Sequence, residues 1–325
     1  MRLIAVAAVL LVASFQSGGA TGRSTETPQH WLERMARSLH TLNYQGTFVY
    51  ASGPRMETIS LQHTVDEHGE REHLIALNGA PREVLRDGAA VTRILPDTSS
   101  IFSQPDTPSA TFPMALGEAF THLDQFYSFQ LGDNERIADR ETQQIHVNPR
   151  DSYRYGYRLW LDRQTAIPLK VALLDEEGYP LEQVMFTSFR LMQEEESASR
   201  PAESLTVPPV LSAEPARRAR REIAATPWKI KALPDGFELF SHIKETLPGS
   251  SQPVDHVVFS DGLVSVSAYM EPMSDRKGLS GISRLGAFSA FGLNLEDYQV
   301  TVVGEVPPAT VEFIGRAIVL GPDTQ

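Results

Sequence analysis

The chain has 325 residues and no cysteine, and its 29 Lys and Arg stand against 41 Asp and Glu, so its formal net charge is −12. The lack of cysteine excludes disulfides, thiolate catalysis, cysteine metal sites and a lipid-modified cysteine anchor. So acidic a chain is also a poor candidate for wrapping nucleic acid or for binding broadly to anionic lipid headgroups.

The first twenty residues have the pattern of a secretory signal peptide. Arg2 precedes an almost unbroken apolar run from Leu3 to Phe15, and small residues then lead to Ala20. The run is short for a membrane-spanning helix, which needs about 20 apolar residues, and this argues against the alternative of an uncleaved anchor helix. We therefore expect residues 1–20 to be removed by cleavage near Ala20 and the mature chain to be an exported soluble protein.

Beyond this leader, a helical pattern gives way to strands. Apolar residues at helical spacing from Trp31 to Leu42 predict an amphipathic helix over residues 29–42. Residues 44–50 are rich in strand-forming side chains, and residues 57–65 alternate between polar and apolar ones. Turn signals then recur roughly every ten residues as far as Asp87 and Gly88, which is the spacing of an antiparallel meander.

The middle of the chain interrupts the strands and then resumes them. Phe120, Leu123 and Phe126 predict a helix within residues 116–129, after a proline-rich stretch. Strands are predicted again over residues 136–146, 153–161, 169–174 and 181–189. The expected first domain, residues 21–192, is therefore an antiparallel sheet of about seven or eight strands, with helices at its start and middle.

A linker and a smaller domain complete the expected organisation. Residues 193–226 combine acidic residues, prolines and a basic cluster, a composition that favours an extended chain. Residues 227–325 show further strands, a hairpin turn at Asp261 and Gly262, and a helix over residues 309–320 that follows two prolines. This pattern predicts a C-terminal α+β domain.

Residues 153–162 alternate more clearly than any other stretch. A period of two places on one face of a single strand the side chains of Tyr153, Tyr155, Tyr157, Leu159 and Leu161. Such a wall is either the core under a covering helix or the lining of a concave pocket for an acyl chain, and tyrosine slightly favours the pocket because its hydroxyl prefers a polar rim. The candidates for a lipid groove are Phe48, Tyr50, Ile59, Leu61, Tyr155, Tyr157 and Leu159.

No catalytic constellation emerges from the sequence. The chain has no Gly-x-Ser-x-Gly elbow, no dinucleotide fingerprint and no phosphate-binding loop. His63, His68 and His73 flank a predicted hairpin turn, but their spacing matches no metal motif. We therefore expect a protein that is not an enzyme and that holds neither a metal nor a cofactor.

Seven stretches are spread over nearly all of the mature chain: NYQGTFVY at residues 43–50, YGYRLWLD at 155–162, LLDEEG at 173–178, LEQ at 181–183, LPDGF at 233–237, SDGLVSV at 260–266 and VGEVPP at 303–308. They resemble the MucB/RseB family, whose members regulate an envelope-stress sigma factor of the sigma-E type from the periplasm. None is specific alone, but their order and spacing together carry the resemblance. It implies an α+β fold: an N-terminal open antiparallel β-barrel with covering helices, similar to the lipoprotein carriers LolA and LolB, and a smaller C-terminal α+β domain.

The resemblance also implies a function. Proteins of this family bind the periplasmic part of a membrane-spanning anti-sigma factor and protect it from regulated proteolysis, and lipid-bearing components of the envelope release that grip. A lipid or an acylated lipoprotein is then the expected ligand, nucleic acid is not an expected partner, and a homo-oligomer is left open. The alternative function is a soluble periplasmic carrier of lipids or lipoproteins, although a carrier would need only the first domain.

Overall fold

The computed structural model describes residues 26–67, 69–79, 83–87, 90–94, 123–193, 227–246, 252–273 and 278–321. The predicted signal peptide, residues 194–226 of the predicted linker and residues 116–122 of the predicted second helix lie outside these ranges. The described residues form three antiparallel sheets and two helices.

The N-terminal unit consists of one helix and one large sheet. Its elements are α1 (Pro28–Thr41), β1 (Tyr44–Ser52), β2 (Arg55–Asp66), β3 (Gly69–Ala76), β4 (Glu83–Asp87), β5 (Ala90–Ile94), β6 (Tyr127–Ile137), β7 (Arg140–Pro149), β8 (Gly156–Asp162), β9 (Pro168–Leu174) and β10 (Pro180–Leu191). The sheet order is β5-β4-β3-β2-β1-β10-β9-β8-β7-β6, so two meanders meet where the first strand pairs with the last. The described sheet thus has ten strands instead of the seven or eight expected.

Helix α1 confirms the predicted amphipathic helix. It begins with Pro28 at its first turn, and the Thr27 side chain caps it by accepting a hydrogen bond from the His30 backbone at 3.2 Å. The apolar face of the helix is buried in the same cluster as the inner side chains of the sheet. The buried helix residues are Trp31, Leu32, Met35 and Leu39.

The predicted second helix is wrong over its last residues. Residues 124–126 form a turn, and strand β6 begins at Tyr127, whose backbone pairs with Pro149 of β7. Tyr127 is 1% exposed and packs into the N-terminal core. The helical spacing that ends at Phe126 misled the prediction, because pairing with the next strand, β7, overrides a short local pattern.

The C-terminal unit is a six-stranded sheet covered by one helix. Its elements are β11 (Trp228–Ile230), β12 (Glu238–Glu245), β13 (Val254–Ser260), β14 (Ser265–Pro272), β15 (Gly281–Leu285), β16 (Phe288–Leu295), β17 (Tyr298–Gly304), α2 (Pro308–Ala317) and β18 (Ile318–Leu320). The main sheet has the order β12-β13-β14-β17-β16-β15, and β11 pairs with β18 separately. Helix α2 buries Val311 and Ile314 completely in a second apolar core.

Helix α2 ends three residues earlier than the sequence predicts. The predicted helix over residues 309–320 stops at Ala317, because residues 318–320 pair with the three residues of β11. The hairpin predicted at Asp261 and Gly262 is confirmed between β13 and β14.

Truncation of a buried side chain of α1 should show how much this helix contributes to the stability of the N-terminal unit. Met35→Ala truncates a side chain that is completely buried. We expect the free energy of unfolding to fall by roughly 2–5 kcal/mol, because a cavity remains. Arg37→Ala, on the exposed face of the same helix, should change stability by less than about 0.5 kcal/mol. Urea denaturation of both variants measures this, and equal losses would show that α1 does not pack as described.

Candidate functional site

The seven groove candidates lie together in one apolar cluster of the N-terminal unit. Tyr50 and Ile59 are partly buried and pack against its edge. The other five are at most 6% exposed, and they are Phe48, Leu61, Tyr155, Tyr157 and Leu159. In this conformation the cluster is filled by its own side chains, and its use as a lipid groove stays a prediction.

The tyrosine run is not one continuous strand. Strand β8 begins only at Gly156, so Tyr157 and Leu159 share its inner face while Tyr153 and Tyr155 precede it. The Asp151 carboxylate accepts a hydrogen bond from the Tyr153 backbone at 2.9 Å, which bends the chain before the strand starts. The prediction of a strand from Tyr153 is therefore wrong, and the residues before β8 are free to contact the C-terminal unit.

Arg154 connects the two units through a fully buried ion pair. Its Nε donates to the Asp261 carboxylate at 2.8 Å, and neither side chain is exposed. A terminal guanidinium nitrogen also donates to the Asp235 backbone carbonyl at 2.5 Å, and the other pairs with Asp151 beside it in the sequence. Arg154 thus belongs to the N-terminal unit but takes two of its three partners from the C-terminal unit.

Aromatic rings from both units enclose the Arg154 guanidinium. The Phe126 ring lies 4.4 Å from it and the Phe237 ring 5.0 Å, which are cation–π distances. On the other side of the pair, Asp261 accepts the backbone N–H groups of Leu263 and Val264 at 3.0 and 2.9 Å. A buried charge is tolerated only when it is paired and hydrogen-bonded in this way, and arginine suits the position because its planar fork serves several acceptors at once.

Gly236 allows the two units to approach closely. Its φ of +84° lies in the left-handed region, and a Cβ there would sit 2.3 Å from the Phe126 ring. Only glycine meets both conditions without strain. The turn at residues 235–236 therefore brings the Asp235 carbonyl to Arg154 and the Phe126 ring to the C-terminal unit.

Tyr153 and Tyr155 extend the contact on either side of Arg154. The Tyr153 carbonyl accepts a hydrogen bond from the Thr310 hydroxyl of α2 at 2.8 Å, and its ring packs edge-on against Phe313 at 5.3 Å. Tyr155 lies under the Arg284 guanidinium of the C-terminal unit, 5.8 Å from its ring centre. Together with Arg154, these residues form what we call the junction of the two units.

The Tyr155 hydroxyl is buried without a hydrogen bond. The Ser289 hydroxyl of β16 is likewise buried without a hydrogen-bond partner. Burial raises the pKa of Tyr155, and burial raises that of Tyr157 still further above its usual value. Both tyrosines therefore remain neutral, and they serve as apolar walls with a polar end.

Three side chains of the C-terminal unit follow one another in the order of a catalytic triad. The Glu245 carboxylate lies 2.7 Å from Nδ1 of His256, whose Nε2 lies 3.1 Å from the Ser267 hydroxyl. Ser267 is only 5% exposed and lies within the regular strand β14, so its hydroxyl has no access to a substrate carbonyl. The sequence did not point to this series because its members come from three strands, and in this conformation it supports no hydrolase.

The histidine hairpin does not form a metal site in the described structure. Gln62 pairs with His73 and His63 with Glu72, so His63 and His73 lie on opposite faces of the sheet. His63 stacks on Tyr44 at 4.7 Å, whereas His73 lies 2.5 Å from the Glu83 carboxylate. His68 lies outside the described residues, and the described ones contain no group of three metal-ligating side chains.

Comparison with known proteins points to one family. Residues 27–211 match the MucB/RseB N-terminal domain, and residues 222–319 match the MucB/RseB C-terminal domain. The sigma factor AlgU regulatory protein MucB of Pseudomonas aeruginosa is 31% identical, over 95% of this chain and 96% of that protein. The sigma-E factor regulatory protein RseB of Escherichia coli K12 is 27% identical over 97% of each.

Solved structures extend the likeness to the fold. The complex of Pseudomonas aeruginosa MucA and MucB matches with a TM-score of 0.71 and 29% identity, over 91% of this chain and 99% of that chain. The crystal structure of MucB matches with a TM-score of 0.57 and 30% identity, over 89% and 96%. No helix in the described part of this chain combines the length and the apolar character needed to cross a membrane.

Removal of the Arg154 side chain should uncouple the two units. Arg154→Ala leaves Asp261 buried and unpaired, so we expect a loss of about 3–5 kcal/mol from the unfolding free energy. Trp228 reports on the C-terminal unit and Trp31 on the N-terminal one, so urea denaturation of single-tryptophan versions should show two separated transitions. Arg163→Ala, a more exposed arginine, should keep the single transition, and a single transition in Arg154→Ala would contradict the assigned role.

Gly236 offers a second test of the close approach. Gly236→Ala combines a strained backbone with a collision against Phe126, so we expect a loss of roughly 2–4 kcal/mol. Gly178→Ala is the matched control, because Gly178 has a similar φ of +88° but open space around it. Equal losses in thermal or urea denaturation would mean that the Phe126 contact contributes nothing.

Proposed function

The chain belongs to the MucB/RseB family, and we propose that it binds the periplasmic part of a membrane-spanning anti-sigma factor and protects that partner from regulated proteolysis. The observation that carries the proposal is the match to MucB in its complex with MucA, over 91% of this chain and 99% of that one. Both units of this chain thus have counterparts in a relative that was solved together with its partner. The names of the relatives, which are regulators of AlgU and sigma-E, support the same role.

The proposed function sets the compartment and the organisation of the chain. A partner in the periplasm requires export, for which residues 1–20 would be the signal peptide. We propose domains at residues 21–192 and 227–325, joined by a linker at residues 193–226. We further propose that the ten-stranded sheet curves into an open half-barrel with α1 against its concave face. In support, β5 and β6 lie at opposite ends of the sheet, and α1 shares one apolar cluster with it.

We infer that a lipid acyl chain is the signal that releases the partner. The cluster of groove candidates is rich in rings that could rotate to admit an alkyl chain, and Tyr50 and Ile59 at its edge are already partly exposed. Tyr155 borders this cluster on one side and touches Arg284 of the C-terminal unit on the other. An acyl chain bound there would disturb the junction. The partner is then released if the lipid binds the protein with a disturbed junction more tightly than the protein with docked units.

A soluble carrier of lipids or lipoproteins is the second candidate. The same apolar cluster favours it, since a carrier also needs a shielded site for acyl chains. A carrier would need only the N-terminal unit, however, and here that unit commits Arg154 to buried partners in the C-terminal one. Regulation through a partner uses both units and is the function that the geometry supports better.

A protease-protection assay tests the proposed function. The purified full chain should slow the cleavage of the periplasmic segment of the cognate anti-sigma protein by its first protease, because the bound segment is shielded. Addition of a purified acylated lipoprotein should restore the cleavage, and the same lipoprotein stripped of its acyl chains should not. If the segment were cleaved at the same rate with and without the chain, while acylated lipoproteins were extracted from membranes, the carrier function would replace the proposed one.

Variants of the cluster should separate lipid response from partner binding. In Tyr155→Ala with Tyr157→Ala we expect the lipid concentration for half-release to rise by about tenfold or more while the partner is still bound, because two walls of the groove are lost. Tyr50→Ala should act in the same direction with less risk to the fold, since Tyr50 is only partly buried. Ile137→Ala, in the same core but outside the candidate set, is the control and should leave the lipid response unchanged. If the double variant failed to fold and Tyr50→Ala responded normally to lipid, the cluster would be part of the hydrophobic core and not a lipid groove.

A further inference from the structure

Two buried hydroxyl groups, one in each unit, have no hydrogen-bond partner among the described residues. Tyr155 of the N-terminal unit is 4% exposed, and Ser289 of the C-terminal unit is completely buried. Buried polar groups in proteins are hydrogen-bonded with few exceptions, so two unpaired hydroxyls require an explanation.

The β15–β16 hairpin brings the two hydroxyl-bearing residues to one place. Arg284 and Ser289 are direct partners across this hairpin, so their side chains share one of its faces, with Cβ atoms about 5 Å apart. The Arg284 guanidinium lies over the Tyr155 ring, 5.8 Å from its centre. Tyr155 and Ser289 are therefore neighbours of the same arginine, one beneath it and the other beside it.

The tip of the same hairpin packs onto the N-terminal apolar cluster. Ala287 is buried within that cluster, together with Tyr155, although it belongs to the C-terminal unit. A Cβ on Gly286 would lie 3.6 Å from the hydroxyl of Ser52, the last residue of β1. The two unpaired hydroxyls thus lie where the apolar cluster of one unit meets the hairpin of the other.

The chemistry of this place suits a neutral acceptor. Tyrosine and serine hydroxyls are uncharged donors. Arg284, the cation beside them, pairs with Glu176 at 3.5 Å, and both of these side chains are about one-third exposed. A buried anion would gain little from a cation that is already paired at the surface, and its desolvation would be costly. A carbonyl oxygen has two lone pairs and can accept from both hydroxyls without bringing a charge.

We propose that the Tyr155 and Ser289 hydroxyls bind the carbonyl oxygen of an acyl ester whose alkyl chain enters the apolar cluster. The inference rests on the proposed function, because it names the head group of the same lipid ligand. From Tyr155 the alkyl chain would run towards Tyr157 and Leu159, which lie on the inner face of β8 within the cluster.

Such a carbonyl supplies the differential affinity that release of the partner requires. With the units docked as described, both hydroxyls are buried and neither has an acceptor. A carbonyl oxygen inserted between them gives each hydroxyl a hydrogen bond, but it moves the β15–β16 hairpin away from Tyr155. The lipid therefore binds a widened junction more tightly than the docked one, and an alkyl chain without the carbonyl lacks this advantage.

A pair of ligands that differ only in the carbonyl tests the proposal. The probes are a monoacylglycerol and the monoalkylglycerol ether of the same chain length, each added to the purified full chain below the concentration at which it aggregates. Equilibrium dialysis should show that the ester binds about tenfold more tightly, which corresponds to one or two net hydrogen bonds. Equal affinities would overturn the proposal and leave the proposed function intact, whereas failure of both probes to bind would overturn the acyl-chain signal as well.

Conservative variants assign the preference to the two hydroxyls. Tyr155→Phe and Ser289→Ala each remove one hydroxyl, so each should lower the ratio of the two affinities, and the double variant should abolish it. The affinity for the ether should change little, and it shows that the variants are folded.

Thr310→Val is the matched control for these variants. The Thr310 hydroxyl crosses the same junction but already donates to the Tyr153 carbonyl at 2.8 Å, so its loss should leave the preference for the ester unchanged. A double variant of Tyr155 and Ser289 that kept the preference of the natural chain would contradict the proposal.

Further probes identify the chemical class of the ligand and its source. An alkyl phosphate of the same chain length should bind no more tightly than the ether, and binding tighter than that of the ester would show that the junction takes an anion instead. The ester and ether forms of a lysophospholipid and of a diacylglyceryl peptide distinguish phospholipids from lipoproteins. The source that enters the junction is the one whose ester form binds about tenfold more tightly than its ether form, and equality in both sources would contradict the proposal.

Discussion

The arrangement of the two units depends on one buried cation, the Arg154 guanidinium, which must be surrounded by groups that stabilise its charge. Arg154 has no exposed surface, so its charge is stable only while Asp261, the Asp235 carbonyl and two aromatic rings surround it. Most of these groups come from the C-terminal unit. Separation of the units would therefore leave Arg154 on one side and Asp261 on the other either in water or buried without a partner. The junction thus has a docked state and a separated state, with few states between them.

This constraint would allow one short segment to serve both the docking of the units and the proposed regulation. Residues 153–155 form the junction, and Tyr157 and Leu159 immediately after them line the apolar cluster of the N-terminal unit. A ligand in the cluster and a partner that needs docked units would thus compete through a segment of a few residues. Coupling of this kind requires only that the ligand bind one of the two states more tightly.

Local sequence patterns predicted the elements better than the site. The amphipathic spacing from Trp31 to Leu39 and the turn at Asp261 were sufficient for α1 and for the β13–β14 hairpin, because both depend on near neighbours. The period-two alternation placed Tyr153 in a strand, because such a pattern gives no sign of the bend that the hydrogen bond to Asp151 imposes. The sequence did not mark Arg154 as a site, since its two partners in the C-terminal unit lie 81 and 107 residues further along the chain. The resemblance to a known family predicted the function, whereas the junction that we assign to it required the fold.

The distance between the two units during partner release tests the central claim most directly. Cysteines introduced at two exposed positions, Thr187 in the N-terminal unit and Lys244 in the C-terminal one, can carry fluorophores because the natural chain has no cysteine. The labelled full chain bound to the periplasmic segment of the anti-sigma protein should show the short distance of the docked state. Addition of an acylated lipoprotein should lengthen that distance as the segment leaves, with the same dependence on concentration. If the segment left while the distance stayed unchanged, the junction would not be the link between the ligand and the partner.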